Sequence, residues 1–203
     1  ISSASFFIVL TILSKNSKLV IKNINVNKTR TGIIDILKKM NANIFLKNKK
    51  KYKGEDLADI HVESTENLKS INCPKKFNSR AIDELILIFL VCAKANGTSY
   101  FKNLGELRHK ESDRLKLSHN ILKMLGAKVI LNSNSLKIYG KPNLKNKNNI
   151  VIKNYMKDHR IFMFSCIAAL ALGGKWKIYD KKSINTSFPE FLKILRKLGA
   201  NFS

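Results

Sequence analysis

Cysteine is scarce and odd in number: Cys73, Cys92 and Cys166 are the only three, scattered through 203 residues. Small secreted folds rely on paired half-cystines, so this pattern excludes a disulfide framework and points to a reducing compartment, the cytoplasm. No apolar run reaches the ~20 residues that a membrane-crossing helix needs. The longest, 4–13, 85–95 and 161–172, suit helices of a protein core. No zinc-ligand spacing, aromatic RNA-binding motif or basic zipper region is present. A basic-then-apolar leader is also missing, and the chain opens Ile-Ser-Ser without a methionine, as expected of a piece of a longer protein.

Acidic side chains are the other shortage. Asp and Glu number 14 against 38 Lys and Arg, a formal net charge of +24. Such basicity raises nucleic acid or an acidic membrane as partners. The lysines, however, are spread along the whole chain among many Asn and Ile instead of forming a stripe. That is a compositional bias, and neither nucleic acid nor membrane is expected as a partner. With 44% hydrophobic residues the chain can bury a sizeable core as one or two domains.

What is there is a threefold repeat. Copy one predicts helix 5–13, strand 19–24, a polar turn, helix 33–40 and strand 42–46. Copy two predicts helix 83–95, strand 98–104, a charged turn, helix 114–125 and strand 127–131. Copy three predicts helix 160–172, strand 175–179, a turn and helix 190–198. Further strands are expected around 59–63 and 136–139, and stretches 67–79 and 141–149, with Pro74 and Pro142, are expected to link the units. The second helices close on near copies: Leu37 to Ile44, Leu122 to Val129 and Leu195 to Phe202. Asn41, Gly126 and Gly199 fall where a left-handed cap ends each helix. The expected architecture is α/β: βαβαββ units, about 1–66, 80–140 and 150–203, with helices gathered around a shared axis and sheets outside.

Chemistry is expected where helix N-termini converge, because their free N–H groups suit anions. The densest such place is 107–115, Leu-Arg-His-Lys-Glu-Ser-Asp-Arg-Leu. An arginine in a first helical turn is opposed by the helix dipole by up to ~1 kcal/mol, so Arg114 suggests an anionic guest.

Arg-His-Lys-Glu-Ser-Asp-Arg-Leu at 108–115, Ala-Ile-Asp-Glu-Leu at 81–85, Asp-His-Arg-Ile at 158–161, Thr-Arg-Thr-Gly at 29–32 and Thr-Ser-Phe-Pro at 186–189 together resemble the enolpyruvyl transferases. The resemblance covers the whole chain in the family's order and is nearest to the shikimate-phosphate branch. It implies an inside-out α/β domain that is roughly the C-terminal half of an enzyme, monomeric when complete. It also implies transfer of the enolpyruvyl group of phosphoenolpyruvate to the 5-hydroxyl of shikimate 3-phosphate with release of phosphate, without metal or organic cofactor. By the same resemblance Asp83 is the carboxylate at the attacking hydroxyl and Glu111 the proton shuttle at the methylene carbon. Lys110, Arg114, Arg160 and His159 are substrate-binding. Thr186 stands where one branch carries a phosphoenolpyruvate-binding lysine, which implies the branch without it. Two alternatives are a UDP-N-acetylglucosamine enolpyruvyl transferase, which shares the fold, and a basic nucleic-acid-binding repeat protein.

Overall fold

A computed structural model describes residues 1–202. In chain order it contains α1 (Ser2–Leu13), β1 (Lys18–Asn25), α2 (Gly32–Lys39), β2 (Ile44–Tyr52), β3 (Glu55–Glu63), α3 (Leu85–Ala93), β4 (Thr98–Phe101), α4 (Arg114–Met124), β5 (Lys128–Leu131), β6 (Leu136–Tyr139), β7 (Asn149–Ile152), α5 (His159–Leu172), β8 (Lys175–Ile178) and α6 (Phe191–Lys197). Short 3₁₀ turns fill Lys75–Phe77, Ser79–Ala81, Gly105–His109 and Lys181–Ile184.

The first helix of each unit is apolar all round, a composition compatible only with burial. Every residue of α3, Leu-Ile-Leu-Ile-Phe-Leu-Val-Cys-Ala, is 0% exposed. Helices α1, α3 and α5 pack on one another pairwise and form the centre. Burying each large apolar side chain is worth ~1.5–3 kcal/mol, against ~0–1 kcal/mol for an exposed ion pair. The helical centre, and not the abundant surface charge, therefore holds the fold. Around it, α2 buries Ile33, Ile34, Ile36 and Leu37 and carries Lys38 and Lys39 in its last turn, where the dipole favours them.

The sheets lie outside. β3 pairs antiparallel with β1 and β2, and β6 pairs antiparallel with β4 and β5, in orders β1-β3-β2 and β4-β6-β5. Outward positions such as Val20, Phe45 and Ile130 stay exposed while Ile60, Val62, Leu136 and Ile138 are buried, the alternation a one-sided sheet requires. The expected caps are present: Ala42, Ala127 and Ala200 N–H donate to Leu37, Leu122 and Leu195 carbonyls at 2.9, 3.0 and 3.0 Å. Asn41, Gly126 and Gly199 adopt φ of 69°, 80° and 95° between them, which makes three equivalent Schellman turns.

Two expectations are corrected. The stretch expected as a linker over 141–149 runs directly into a strand that was not expected, β7, which joins β8 in parallel, Asn149 opposite Lys175. Residues 69 and 72 bridge in parallel to Asn96 and Tyr100. β7 is only four residues long, too short for its buried Ile150 and Ile152 and exposed Val151 to register as alternation among Lys and Asn. Helix α3 also starts at Leu85, so Asp83 and Glu84 sit in the turn before it.

The third sheet has β7 and β8 only, where unit two continues through β6 and β5. In unit two β6 covers α3. On α5, Cys166, Ala169, Leu170 and Ala171 remain partly exposed, and a cleft of about 340 Å³ lined by Phe162, Cys166, Trp176 and Leu192 opens beside them.

Gly140 is the tightest backbone approach: an added Cβ would lie 2.0 Å from the Ala95 carbonyl oxygen and 2.8 Å from that of Cys92. Both obstacles are backbone, and the strand end is pinned by Gly140 N–H to Gly97 O at 2.8 Å and Lys141 N–H to Ala93 O at 2.9 Å. Gly140→Ala is expected to cost at least ~1–3 kcal/mol, seen as a lower urea midpoint at unchanged slope.

Candidate active site

The charged cluster forms where the N-terminal ends of α3, α4 and α5 meet. Asp113 caps α4, accepting Lys116 N–H at 2.8 Å. It also accepts Arg108 Nη1 at 2.8 Å, while Arg108 reaches the Ser133 and Asn132 carbonyls at 2.7 and 3.2 Å. Asp113 and Arg108 thereby fix the turn that displays Lys110 and Glu111. Asp158 caps α5, accepting Arg160 N–H at 2.9 Å.

Arg114 occupies the middle and is only 2% exposed. Its Nε donates to Asp158 Oδ2 at 2.9 Å and its Nη2 to Oδ1 at 3.3 Å, a bidentate fork. Nη1 donates to Asp83 Oδ1 at 3.2 Å, and Nη2 pairs with Glu111. The anion that offsets the helix dipole at Arg114 is therefore supplied by the chain itself. This corrects the expectation that the arginine is there for a guest alone. Asp158, 1% exposed and also accepting Ser112 Oγ at 2.8 Å, was not among the expected site residues. Its signal was an Asp directly before a helix, which marks a cap but not the buried partner.

The other expected residues gather around this pair. Asp83 is 39% exposed, with Lys110 Nζ 4.0 Å from Oδ1 and Arg160 Nη2 3.9 Å from Oδ2. Lys110 is held by Glu106 at 2.8 Å. Glu111, 53% exposed, faces His159 Nδ1 at 3.9 Å. Burial, then the neighbouring Arg160 charge, pulls the His159 imidazole below its ordinary range, so it is neutral at pH 7. Arg160 donates from Nη1 to the Asp83 carbonyl at 3.0 Å. Five of the six expected residues thus share one polar face above the buried Arg114, and this face combines exposed carboxylates with cations that can hold anions. Glu111, Asp158 and His159 also place ligand atoms within 4.8 Å of one another. Arg114 pairs with both carboxylates, so a metal would compete with a buried guanidinium for the same oxygens.

Among the described residues no helix is long and apolar enough to cross a membrane.

Residues 1–195 match the family model described as EPSP synthase (3-phosphoshikimate 1-carboxyvinyltransferase). Curated relatives of that name include those of Ruthia magnifica, 39% identical over 203 residues, 100% of this chain and 46% of the relative. Another, from Caldicellulosiruptor saccharolyticus, is 41% identical over 196 residues, 96% of this chain and 44% of the relative. The chain thus spans about half the length of the curated relatives it matches. The EPSP synthase structure from Acinetobacter baumannii superposes with a TM-score of 0.89 at 33% identity, over 97% of this chain and 45% of that one. The enolpyruvyl transferase NikO from Streptomyces tendae, at 17% identity, shares the fold with a TM-score of 0.74 over 98% of this chain and 43% of that one. A charged face of this composition on this scaffold, with matches along nearly the whole chain, places it: the chain belongs to the EPSP synthase family.

Proposed function

We propose that this chain is one enolpyruvyl transferase domain of three repeats and works with the remaining half of the enzyme. Together they move the enolpyruvyl group of phosphoenolpyruvate to the 5-hydroxyl of shikimate 3-phosphate and release phosphate. The observation that carries this is the convergence of Asp83, Lys110, Glu111, His159 and Arg160 around the buried Arg114 in one cluster linked by contacts of 4.0 Å or less.

Asp83 is the base for the attacking hydroxyl, since its exposed carboxylate stands beside the cations that hold the substrate anion. Glu111 delivers a proton to the methylene carbon as the hydroxyl adds and takes one back from it as phosphate leaves, restoring the double bond, and His159 stands beside it to orient it. Arg160 and Lys110 bind the phosphoenolpyruvate anion, with the buried Arg114 anchoring Asp83 and Glu111 beside them. No step draws on a metal or organic cofactor. The twofold length of the relatives supports a second half as partner. A monomeric, cytoplasmic enzyme follows from the same reading.

The test is phosphate release from phosphoenolpyruvate with shikimate 3-phosphate, using the chain co-expressed with the other half. Turnover is expected from the pair and none from this chain alone. Turnover only with UDP-N-acetylglucosamine as acceptor, or none with either, would sink the assignment.

A further inference from the structure

Glu84 has no place in the chemistry proposed above, yet its side chain is 4% exposed beside a residue that does. Ser2 Oγ, in the first turn of α1, donates to Glu84 Oε1 at 2.7 Å. Arg160 Nη1, in the first turn of α5, lies 3.8 Å from the same oxygen. The Glu84 carbonyl accepts Leu87 and Ile88 N–H at 3.0 and 3.1 Å and so opens α3. One residue therefore connects the N-terminal ends of all three central helices, α1 and α5 through its side chain and α3 through its carbonyl.

Arg160 needs such a partner. It is 12% exposed in the first turn of its own helix, where the dipole opposes a cation. Among the described residues the carboxylates within 4.0 Å of its guanidinium are those of Asp83 and Glu84, Asp158 accepting only its backbone N–H. Asp83 is shared with Arg114 and Lys110, and a base that takes up a proton loses its hold on the arginine at that moment. Glu84 is the carboxylate that can stay charged on the buried side.

We infer that Glu84 is a positioning residue for phosphoenolpyruvate, its carboxylate holding the inner Nη1 of Arg160 so that the outer N–H groups stay aimed at the substrate anion. This rests on Arg160 contacting that substrate. A guanidinium already fixed in place loses less freedom when it binds.

The groups facing Glu84 are Ser2 from α1, Asp83 from its own turn and Arg160 from α5. Burial pushes the carboxyl up and Asp83 adds to this, while the Ser2 hydrogen bond and the Arg160 charge pull it down; the net shift is upward. As pH falls through that raised value, Glu84 takes up a proton, Arg160 loses its inner counter-charge, and phosphoenolpyruvate binds more weakly. Ser2→Ala removes a donor to the anion, so the weakening should begin at higher pH.

The experiment is calorimetric titration of phosphoenolpyruvate into the co-expressed halves between pH 5 and 8, with 5-deoxyshikimate 3-phosphate, which lacks the attacking hydroxyl, in place of the acceptor so that no turnover adds heat, alongside phosphate release with the true acceptor. Glu84→Gln keeps the shape and the Ser2 contact but removes the charge. It should raise Kd about tenfold at pH 7, the scale of one weakened charge-assisted contact, change kcat little, and abolish the acid-side rise in Kd. An unchanged Kd in Glu84→Gln overturns the inference. If that variant does not fold, an acid limb that does not move in Ser2→Ala overturns it instead. Absence of turnover in the parent pair counts against the reaction, whereas the pH course of Kd decides Glu84 by itself.

Discussion

Asp83→Asn in the co-expressed enzyme is expected to lower the rate of phosphate release by about 10²- to 10⁴-fold, the range for loss of a positioned acid or base. Folding should be preserved. The substitution is isosteric, the side chain is 39% exposed, and Arg114 keeps its buried fork on Asp158. Binding of phosphoenolpyruvate should be unchanged or tighter, because removing a negative charge next to Lys110, Arg114 and Arg160 leaves more positive potential on the face. The outcome is thus a fall in kcat without a rise in KM, the signature of an interaction made only in the transition state. If Asp83 were merely a charge before a helix, its loss would cost at most ~1 kcal/mol of stability and leave turnover alone. That reading is already weakened by position, since α3 begins at Leu85 with no acid in its first turn. Steady-state phosphate release and urea unfolding on the same preparation separate the two, and activity within threefold of the parent would remove Asp83 from the base role.

The sequence revealed the elements that depend on local chemistry and concealed those that depend on distant partners. The central helices were legible because each is an apolar run too short for a membrane, and the caps at Asn41, Gly126 and Gly199 because near-identical segments precede them. β7 was not, since four residues cannot display a period of two among Lys and Asn. Within the site, the six expected residues stood out as charges in motifs that match a family. Their mutual pairing did not. Arg114 and Asp158 lie 44 positions apart, and Ser2 and Glu84 lie 82 apart. No spacing along the chain announces such contacts, and an Asp before a helix is accounted for by capping alone. The unexplained arginine was thus a sound signal with an incomplete cause: the anion it required was a buried carboxylate of the next unit.

That pairing gives Arg114 a structural duty, which Arg114→Met is expected to expose. The substitution preserves much of the volume but leaves Asp158, 0% exposed at its side chain, with only Ser112 Oγ and the backbone N–H groups of Arg160 and Ile161. Breaking a buried ion pair from one side costs ~3–5 kcal/mol, because the remaining charge is stranded in a medium that solvates it poorly. Against a domain stability of ~5–15 kcal/mol, that is a large share. Arg114→Lys should lose less, retaining the charge but not the fork that spans both Asp158 oxygens. The double substitution Arg114→Met with Asp158→Leu should recover most of the loss, since replacing a buried pair by apolar groups is often neutral or stabilising. A urea-unfolding cycle over the four proteins measures the coupling directly. Were Arg114 a substrate clamp only, the single variant would unfold at the parent's midpoint and differ solely in KM, and the double variant would be the least stable of the set.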